Sequence, residues 1–372
     1  MPAPANECKL IRAPGLEVQF GVARVMDVAD TFADERPGQM RRRNPFTGSD
    51  MTKRVSWRRP VRRLGLTAGM LSVLALSGGE ANAQGRIPAG GRGPIQVLLI
   101  TKGHAFDRAP FFAMFDSLGN DITWTHVEHP AARTFWDPEL AEPYDVLVYY
   151  DMAGRSTGTA DQRNYQGGSP GVPGPNTTAT ANDIVPSDEE QEDFEELLES
   201  GKPMLFFHHS LASWVHTWPE YIEVMGGACD WGRDIITRGV RHPRSGYHQN
   251  TVQQISVVAD HPITADLGNF EITDESYTCP MFEDSVTPLL RTSWKPASAE
   301  AQAENMNPNW TFSNLFAWVK TAENSPIVYI QGGHDATAWA NPKFRQLMGN
   351  AIGWLASDEA QSWARANPTD IF

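Results

Sequence analysis

The sequence predicts an α/β fold with a doubly wound, mostly parallel sheet and helices on both faces. Apolar runs of strand length alternate with segments of helical periodicity, which is the order that builds parallel sheets. Several of these runs are apolar throughout, as is typical of strands that are covered on both faces. The predicted parallel strands are residues 95–101, 122–128, 145–150, 203–207 and 327–330.

Helices are predicted between these strands. In the segment 109–118 an apolar residue recurs every three or four positions, which is the spacing of one helix face. A second helix begins at the capping box formed by Ser187 and Glu190 and continues to Ser200. A last helix is predicted over residues 342–355.

Two segments interrupt the alternation of strands and helices. Between residues 214 and 320 we expect an irregular insertion before the last strand, with antiparallel strands that include 253–258 and 316–320. Residues 152–183 are rich in Gly, Ser, Thr, Asn and Pro and lack apolar periodicity. We expect this second segment to be an exposed loop over the strand ends, where it would influence substrate access.

The N-terminal region has the pattern of an export signal. A basic stretch that begins at Met51 precedes an apolar run, residues 64–76, and a small-residue cleavage site follows at residues 81–83. The apolar run is too short to span a bilayer. We therefore expect residues 51–83 to be a signal peptide and residues 84–94 to be a linker.

Residues 1–50 precede this signal and have two interpretations. Translation starts at Met51 and the upstream stretch is an extension, or the stretch is a disordered arm in front of an uncleaved anchor. The main domain is predicted over residues 95–357, with a C-terminal tail over residues 358–372. The resulting expectation is a periplasmic or extracellular protein without stable membrane insertion after cleavage.

The predicted mature chain is strongly acidic. Residues 84–372 retain 18 of the 31 basic residues and 37 of the 45 acidic ones, a net charge near −19. Nucleic acid and anionic membranes are poor partners for such a protein. Only Cys229 and Cys279 remain after cleavage, and their spacing matches no zinc-binding pattern, so a disulfide and two free thiols are both open.

Polar residues follow four of the predicted parallel strands at the point where each strand ends. The carboxyl ends of parallel strands meet at one edge of a sheet, so these side chains are expected to converge. A single histidine of this kind is more often structural, and it is the joint pattern that predicts a catalytic or metal-binding pocket. The residues are His104, Asp151, His208 with His209, and His334 with Asp335.

His208 and His209 are neighbours, and neighbouring residues of a regular strand point to opposite faces. Because the chain turns at the strand end, we expect His209 to face the site and His208 to pack beneath it. The segment 274–277 contributes a carboxylate, Glu275, and a phenol, Tyr277. Near imidazoles this carboxylate could act as a base or bind a metal, and the alternative is a solvated turn.

Several short motifs occur in the order found in one known family. They are Gly103-His104, the strand from Tyr144, residues 206–210 (FFHHS), 221–227 (YIEVMGG), 261–264 (HPIT), 274–277 (DESY) and 332–335 (GGHD), followed by 339–342 (WANP) and Trp354. With these motifs, from about residue 95 to residue 356, the chain resembles the trehalose-utilisation (ThuA-like) family of the class I glutamine amidotransferase-like superfamily. The resemblance implies a flavodoxin-like fold.

The amidotransferases have a cysteine in the sharp turn after the strand that corresponds to residues 203–207. Here that turn carries His208, His209 and Ser210, so thiol-based glutamine hydrolysis is excluded. His334 stands where the partner histidine of that cysteine would be. Ser210 lacks the G-x-S-x-G setting of a serine nucleophile.

The resemblance implies work on carbohydrates, in particular cleavage of glycosides that are already oxidised to the 3-keto sugar. A 3-keto group acidifies the C2 proton, so a base can remove it while the substituent at C1 leaves. We expect acid/base or metal-assisted elimination or hydrolysis, with His209, Glu275 and His334 as the catalytic residues.

The other residues of the predicted crevice have supporting roles. The residues expected to contact the substrate are Asp151, Tyr277, Asp335 and Trp339. If a divalent metal ion such as zinc takes part, the expected ligands are His104, His209 and His334. No nucleotide cofactor is expected.

The alternative to an enzyme is a non-catalytic carbohydrate-binding or regulatory protein that uses the same crevice. A small-molecule carbohydrate is the expected partner in both cases, and a homo-oligomer is left open. Tryptophans in predicted loops could offer flat faces to sugar rings, although burial in the core is the commoner fate of a tryptophan. These are Trp214, Trp218, Trp231, Trp310 and Trp339.

Overall fold

The structure is a computed structural model that describes residues 89–91, 93–154, 169–170, 183–296 and 313–372. All of these belong to one unit, residues 79–372. The predicted upstream extension, the signal peptide, most of the insert 152–183 and Trp310 lie outside the described residues.

The described residues form the following strands and helices. The strands are β1 (Ala89–Gly91), β2 (Ile95–Lys102), β3 (Ile122–Glu128), β4 (Val146–Asp151), β5 (Ser169–Pro170), β6 (Ile184–Val185), β7 (Met204–Phe207), β8 (Ile235–Thr237), β9 (Val240–His242), β10 (Gly246–Val257), β11 (Phe270–Thr278), β12 (Thr287–Thr292), β13 (Leu315–Ala322) and β14 (Ser325–Ile330). The helices are α1 (Arg108–Asp116), α2 (Pro138–Ala141), α3 (Asp188–Glu199), α4 (Pro219–Met225), α5 (Ala336–Ala340), α6 (Pro342–Leu355) and α7 (Asp358–Ala366).

Five strands form the parallel part of the central sheet, in the order β3-β2-β4-β7-β14. In chain order this is 2-1-3-4-5, the arrangement of flavodoxin-like folds. The predicted α/β fold is thus confirmed, including the five parallel strands. Apolar and aromatic residues occupy all of β7 and all of β4 except Asp151, which explains why these strands lie at the centre, since both faces of each strand are buried.

Alternate residues of the parallel strands feed two separate apolar cores. Leu98 of β2 and Tyr149 of β4 pack on one face, with the buried side of α3. Leu99 and Val148 pack on the other face, with the buried sides of α1 and α6. Helices therefore cover both faces of the sheet, as the sequence predicts.

The insertion before the last strand extends the same sheet. β13, β12, β10 and β11 continue from β14 in antiparallel pairs, and β1 adds an antiparallel edge beside β3. The antiparallel strands predicted at 253–258 and 316–320 are present as parts of β10 and β13. This extension brings β11, with Glu275, to the carboxyl edge of the parallel strands.

The C-terminal segment 358–372, predicted as a tail, includes the helix α7. Ser357 caps this helix by accepting a hydrogen bond from the N–H of Ala360. Its buried positions are the small residues Ala360 and Ala364, which give little hydrophobic signal in the sequence. Within the described residues no helix has both the length and the apolar character needed to cross a bilayer.

Candidate functional site

The chain makes a sharp turn at the end of β7, and this turn positions the first site residue. His208 has a left-handed backbone with φ of 54°, which a non-glycine residue adopts only rarely. Its Nδ1 lies 3.0 Å from the carbonyl oxygen of Gln331, just beyond the neighbouring strand β14. The ring therefore donates from Nδ1 to that carbonyl and presents the lone pair of Nε2 to the site.

Two further side chains, one from β11 and one from the loop after β14, approach this lone pair. Nε2 of His208 lies 3.0 Å from Nδ1 of His334 and 3.4 Å from Oε2 of Glu275. Nδ1 of His334 lies 3.2 Å from the same Glu275 oxygen. We call these three residues the His208–Glu275–His334 cluster. Among the described residues, it is the group of side chains with donor atoms close enough to share a metal ion.

Asp274 holds two members of the cluster in place. Its carboxylate accepts hydrogen bonds from the backbone N–H groups of Gly333 and His334 at 2.6 and 3.0 Å, and from that of Glu275 at 2.8 Å. The side chain is buried, and this burial raises its pKa. Asp274 therefore ties β11 to the loop after β14.

Two tyrosines complete the surroundings of the cluster. The hydroxyl of Tyr277 lies 2.7 Å from Nε2 of His208, and the two rings stack with centroids 4.8 Å apart. The hydroxyl of Tyr150 donates to the backbone carbonyl of His334 at 3.2 Å. Burial raises the pKa of both phenols, so both hydroxyls keep their protons at neutral pH.

His209 and His104 form a second histidine pair next to the cluster. Nδ1 of His209 donates to the backbone carbonyl of Asp151 at 2.8 Å, while its Nε2 is buried and has no hydrogen-bond partner. The two rings lie 4.7 Å apart, and the ring of His104 is 5.8 Å from that of His334. Of the two neighbouring histidines, His208 is thus the one that reaches Glu275, whereas His209 contacts His104.

The local environment separates the charge states of these groups. Burial opposes ionisation of Glu275, but the adjacent imidazoles of His208 and His334 outweigh it and lower the pKa of the carboxyl group. The hydrogen bond to Glu275 in turn raises the pKa of His334. Burial lowers the pKa of His104 to about 4 and that of His209 well below its usual range. The site thus contains an ion pair next to two neutral imidazoles.

A pocket of about 270 Å³ opens beside these residues. Four of the predicted site residues border it, namely His104, Glu275, Tyr277 and His334. The rest of its wall consists of Met152, Trp231, Tyr247 and Gln249. A smaller pocket of about 70 Å³ shares Gln249, Glu275 and His334 with it and includes Asp335 in its wall.

Two other predicted site residues, Asp151 and Trp339, are buried and do not border either pocket, whereas Asp335 borders the smaller one. Asp151 is fully buried, and its carboxylate contacts Nε2 of His129 at 3.0 Å. Trp339 is buried and donates from its indole to the carbonyl of Gly333 at 2.8 Å, which supports the loop that carries His334. Asp335 caps α5 through its side chain. Their contacts are thus with the protein's own backbone or core.

Ser210 has a structural role in the turn after β7. Its hydroxyl donates to the backbone carbonyl of Tyr149 at 2.9 Å and accepts from the N–H of Asp151. The side chain is fully buried. This agrees with the conclusion from the sequence that Ser210 lacks the setting of a nucleophile.

Aromatic residues form part of the pocket wall, and a disulfide lies close to two of them in the sequence. Trp231 is the tryptophan candidate that borders the pocket, and its ring lies 5.1 Å from that of Tyr277. Cys229 and Cys279, two residues from each of these rings, form a disulfide with a Cα–Cα distance of 5.1 Å. Trp214, Trp218 and Trp339 are core residues.

Sequence reasoning missed Tyr247 and Gln249 as pocket residues. Both lie in the first half of β10, which the sequence pattern predicts only from residue 253 onwards. The half that was missed has few apolar residues and contains a register irregularity between His248 and Thr251. The pairing of Tyr247 with Tyr277, which brings it to the pocket, is a long-range contact without a local signal.

The 2-1-3-4-5 strand order defines a flavodoxin-like fold, and the sharp turn at His208 follows the fourth of its parallel strands. Residues 174–355 match the ThuA family, which is described as trehalose utilisation. This match confirms the resemblance that the motifs predict, and the family description indicates a carbohydrate-related role. No curated protein matches the sequence.

Two solved structures illustrate how far the similarity extends. A protein described as ThuA-like from Parabacteroides merdae is 15% identical with a TM-score of 0.49, and the match covers 71% of this chain and 90% of that protein. One from Bacteroides uniformis is 17% identical with a TM-score of 0.43, and the match covers 78% of this chain and 98% of that protein.

Proposed function

We propose that this chain is a carbohydrate-active enzyme that cleaves a 3-keto-glycoside. The observation that carries the proposal is a single pocket that combines acid/base side chains with aromatic rings. His104, Glu275, Tyr277 and His334 border it together with Trp231 and Tyr247. Imidazoles, a carboxylate and a phenol can move protons, and flat aromatic faces suit the C–H faces of sugar rings.

The proposed reaction is an elimination across C1 and C2 of the sugar. A base takes the proton at C2, and the electron pair of the C2–H bond moves towards the carbonyl at C3. The C1–O bond then breaks, a C1–C2 double bond forms, and the departing oxygen takes up a proton. Addition of water to the double bond would complete a net hydrolysis.

The pocket offers a candidate group for each part of this reaction. His104 is the neutral imidazole that borders the pocket, and we assign it to the C2 proton. His334, which borders the pocket and whose pKa is raised by its hydrogen bond to Glu275, would stabilise the negative charge that develops on the C3 oxygen. We assign the Tyr277 hydroxyl, which borders the same pocket, to protonation of the departing oxygen.

The test is a panel of native glycosides and their 3-keto derivatives, incubated with the purified chain and analysed by mass spectrometry. The proposal expects loss of the C1 substituent from at least one 3-keto-glycoside and no change in the matched native glycoside. If no member of the panel changes, but one of them binds saturably, the non-catalytic carbohydrate-binding alternative replaces the enzyme. The partly exposed rings of Trp231 and Tyr247 favour that alternative as the second candidate.

We also propose that the chain is exported. The signal-like pattern at residues 51–83 and the Cys229–Cys279 disulfide support this, because disulfides persist mainly in oxidising compartments. Cell fractionation followed by mass spectrometry of the purified chain should find it outside the cytoplasm with an N-terminus near Gln84. Recovery from the cytoplasm with residues 1–83 intact and both thiols free would refute export.

A further inference from the structure

We propose that His208, Glu275 and His334 bind one divalent transition-metal ion, and that zinc matches this site best. The site belongs to the pocket described above, and the proposal concerns binding, which needs no sugar. The role of the ion in catalysis rests on the proposed function: it would polarise the C3 carbonyl of a bound 3-keto sugar.

The spacing of the three donor atoms supports the proposal. The distances between Nε2 of His208, Oε2 of Glu275 and Nδ1 of His334 are 3.0, 3.2 and 3.4 Å. A tetrahedral zinc ion with bonds of about 2.0–2.1 Å would hold its ligand atoms about 3.3–3.4 Å apart. The triangle therefore needs to expand by only a few tenths of an ångström to accept the ion.

The orientation of His208 is that of a ligand. Its Nδ1 donates to the backbone carbonyl of Gln331, and the tautomer with its proton on Nδ1 presents a lone pair at Nε2. Metal-binding histidines commonly use their second nitrogen in this way, because the hydrogen bond fixes both tautomer and ring orientation. Nδ1 of His334 faces the same point, so a metal ion bound there would take the place of a proton on this nitrogen.

The support of the other two ligands is also rigid. Asp274 accepts hydrogen bonds from the backbone N–H groups of both Glu275 and His334, although 59 residues separate these two positions in the chain. The structure pairs Glu275 with imidazoles rather than with a lysine or an arginine. Both imidazoles can serve as neutral ligands. A divalent cation bound between them and Glu275 would therefore compensate the negative charge of this buried carboxylate.

The donor set determines which ions are expected. Two imidazoles and one glutamate form the ligand set of several catalytic zinc sites, in which a water molecule or substrate takes the fourth position. Magnesium and calcium prefer oxygen ligands and should bind poorly. The Tyr277 hydroxyl, 2.7 Å from Nε2 of His208, is close enough to interact with whatever occupies that fourth position.

The test is a titration of the untagged, chelator-treated chain with Zn²⁺ by calorimetry, together with the visible spectrum of its Co²⁺ form. We expect one equivalent of Zn²⁺ to bind, tetrahedral Co²⁺ absorption, and no comparable binding of Mg²⁺. H208A, E275Q and H334A should each weaken Zn²⁺ binding by more than the roughly 10- to 100-fold that loss of an outer-shell partner costs. H248A removes a histidine outside the cluster and should bind Zn²⁺ like the unmodified chain.

Zn²⁺ binding with equal affinity in all three variants, or no saturable binding by the unmodified chain, would overturn the proposal. If H208A fails to fold by circular dichroism, E275Q, a nearly isosteric change, decides the outcome. Because the titration contains no sugar, the result is independent of the proposed reaction. A chain that binds Zn²⁺ but cleaves no 3-keto-glycoside keeps the metal site and loses the substrate class. A chain that binds Zn²⁺ but cleaves the sugar equally well without it loses only the role of the ion in catalysis.

Discussion

Nδ1 of His334 lies 3.2 Å from Oε2 of Glu275, and each of the two groups favours the charged form of the other. His334 follows a parallel strand, whereas Glu275 lies on an antiparallel strand of the extension. The pair therefore exists only when both parts of the sheet are in place. This dependence on the extension distinguishes the site from one built on strand ends alone.

Replacement of Glu275 by Gln should abolish most of the cleavage of a 3-keto-glycoside. The change keeps the shape of the side chain but removes the negative charge that His334 contacts, and we expect kcat/KM to fall by about 100-fold or more. The measurement is the release of the C1 substituent under steady-state conditions. H248A is the control and should retain activity within about twofold. Near-normal activity of E275Q with an intact fold would contradict the assignment.

Replacement of Asp274 by Ala should destabilise the protein and misplace the loop after β14. Three backbone N–H groups lose their acceptor, and a buried donor without a partner costs about 1–3 kcal/mol. We expect a lower urea midpoint together with a loss of turnover. Asp274→Asn retains one acceptor oxygen and should lie between the two. Equal urea midpoints for Asp274→Ala and the unmodified chain would show that these hydrogen bonds do not stabilise the fold.

Replacement of Trp231 by Ala should weaken substrate binding more than it slows the reaction. Its ring packs against Tyr277 in the pocket wall and carries no group that could act as an acid or base, so we expect a rise in KM of about 10-fold with a smaller change in kcat. Tyr247→Ala, at a ring that is 54% exposed, should show a weaker effect in the same direction. A Trp231→Ala variant with unchanged KM would place the sugar elsewhere.

The stability of the fold should depend on pH through His126. Burial lowers its pKa to about 4, and its Nε2 lies 2.8 Å from the Thr101 hydroxyl. The unfolded chain takes up this proton near the ordinary pKa of 6.5, so the stabilisation is complete above pH 6.5 and is lost as the pH falls to about 4. The loss amounts to about 3 kcal/mol, since each pKa unit corresponds to about 1.4 kcal/mol.

Other buried histidines act in the same direction, so the measurement is a comparison. Urea denaturation of the unmodified chain and of His126→Gln between pH 7 and pH 4 isolates the contribution of this residue. We expect the difference in free energy of unfolding between the two proteins to shrink as the pH falls. A difference that is constant over this range would mean that His126 does not titrate with folding.

The parallel strands and their carboxyl-end residues could be predicted because the signal is local. Uniformly apolar runs such as 203–207 identify buried strands, and their shared direction brings His104, His208 and His334 to one edge. The distinction between His208 and His209 could not be predicted. It depends on the backbone of a single residue, the positive φ of His208, which no periodicity reports.

Two residues of the pocket wall could not be predicted from the sequence for a different reason. Gln249 and Tyr247 reach the site through the pairing of β10 with β11, a contact between segments without local periodicity. The positioning role of Asp274 could not be predicted either, because its three backbone partners come from both sides of a long-range contact. Such residues become visible only when the register of the antiparallel strands is known.

The most direct test of the proposed chemistry is the rate of cleavage of a 3-keto-glycoside that carries deuterium at C2. If removal of the C2 proton limits the reaction, the deuterated substrate should react several-fold more slowly than the protonated one, and the matched native glycoside should not react at all. Cleavage of the native glycoside at a comparable rate, without an isotope effect on the keto sugar, would contradict the account.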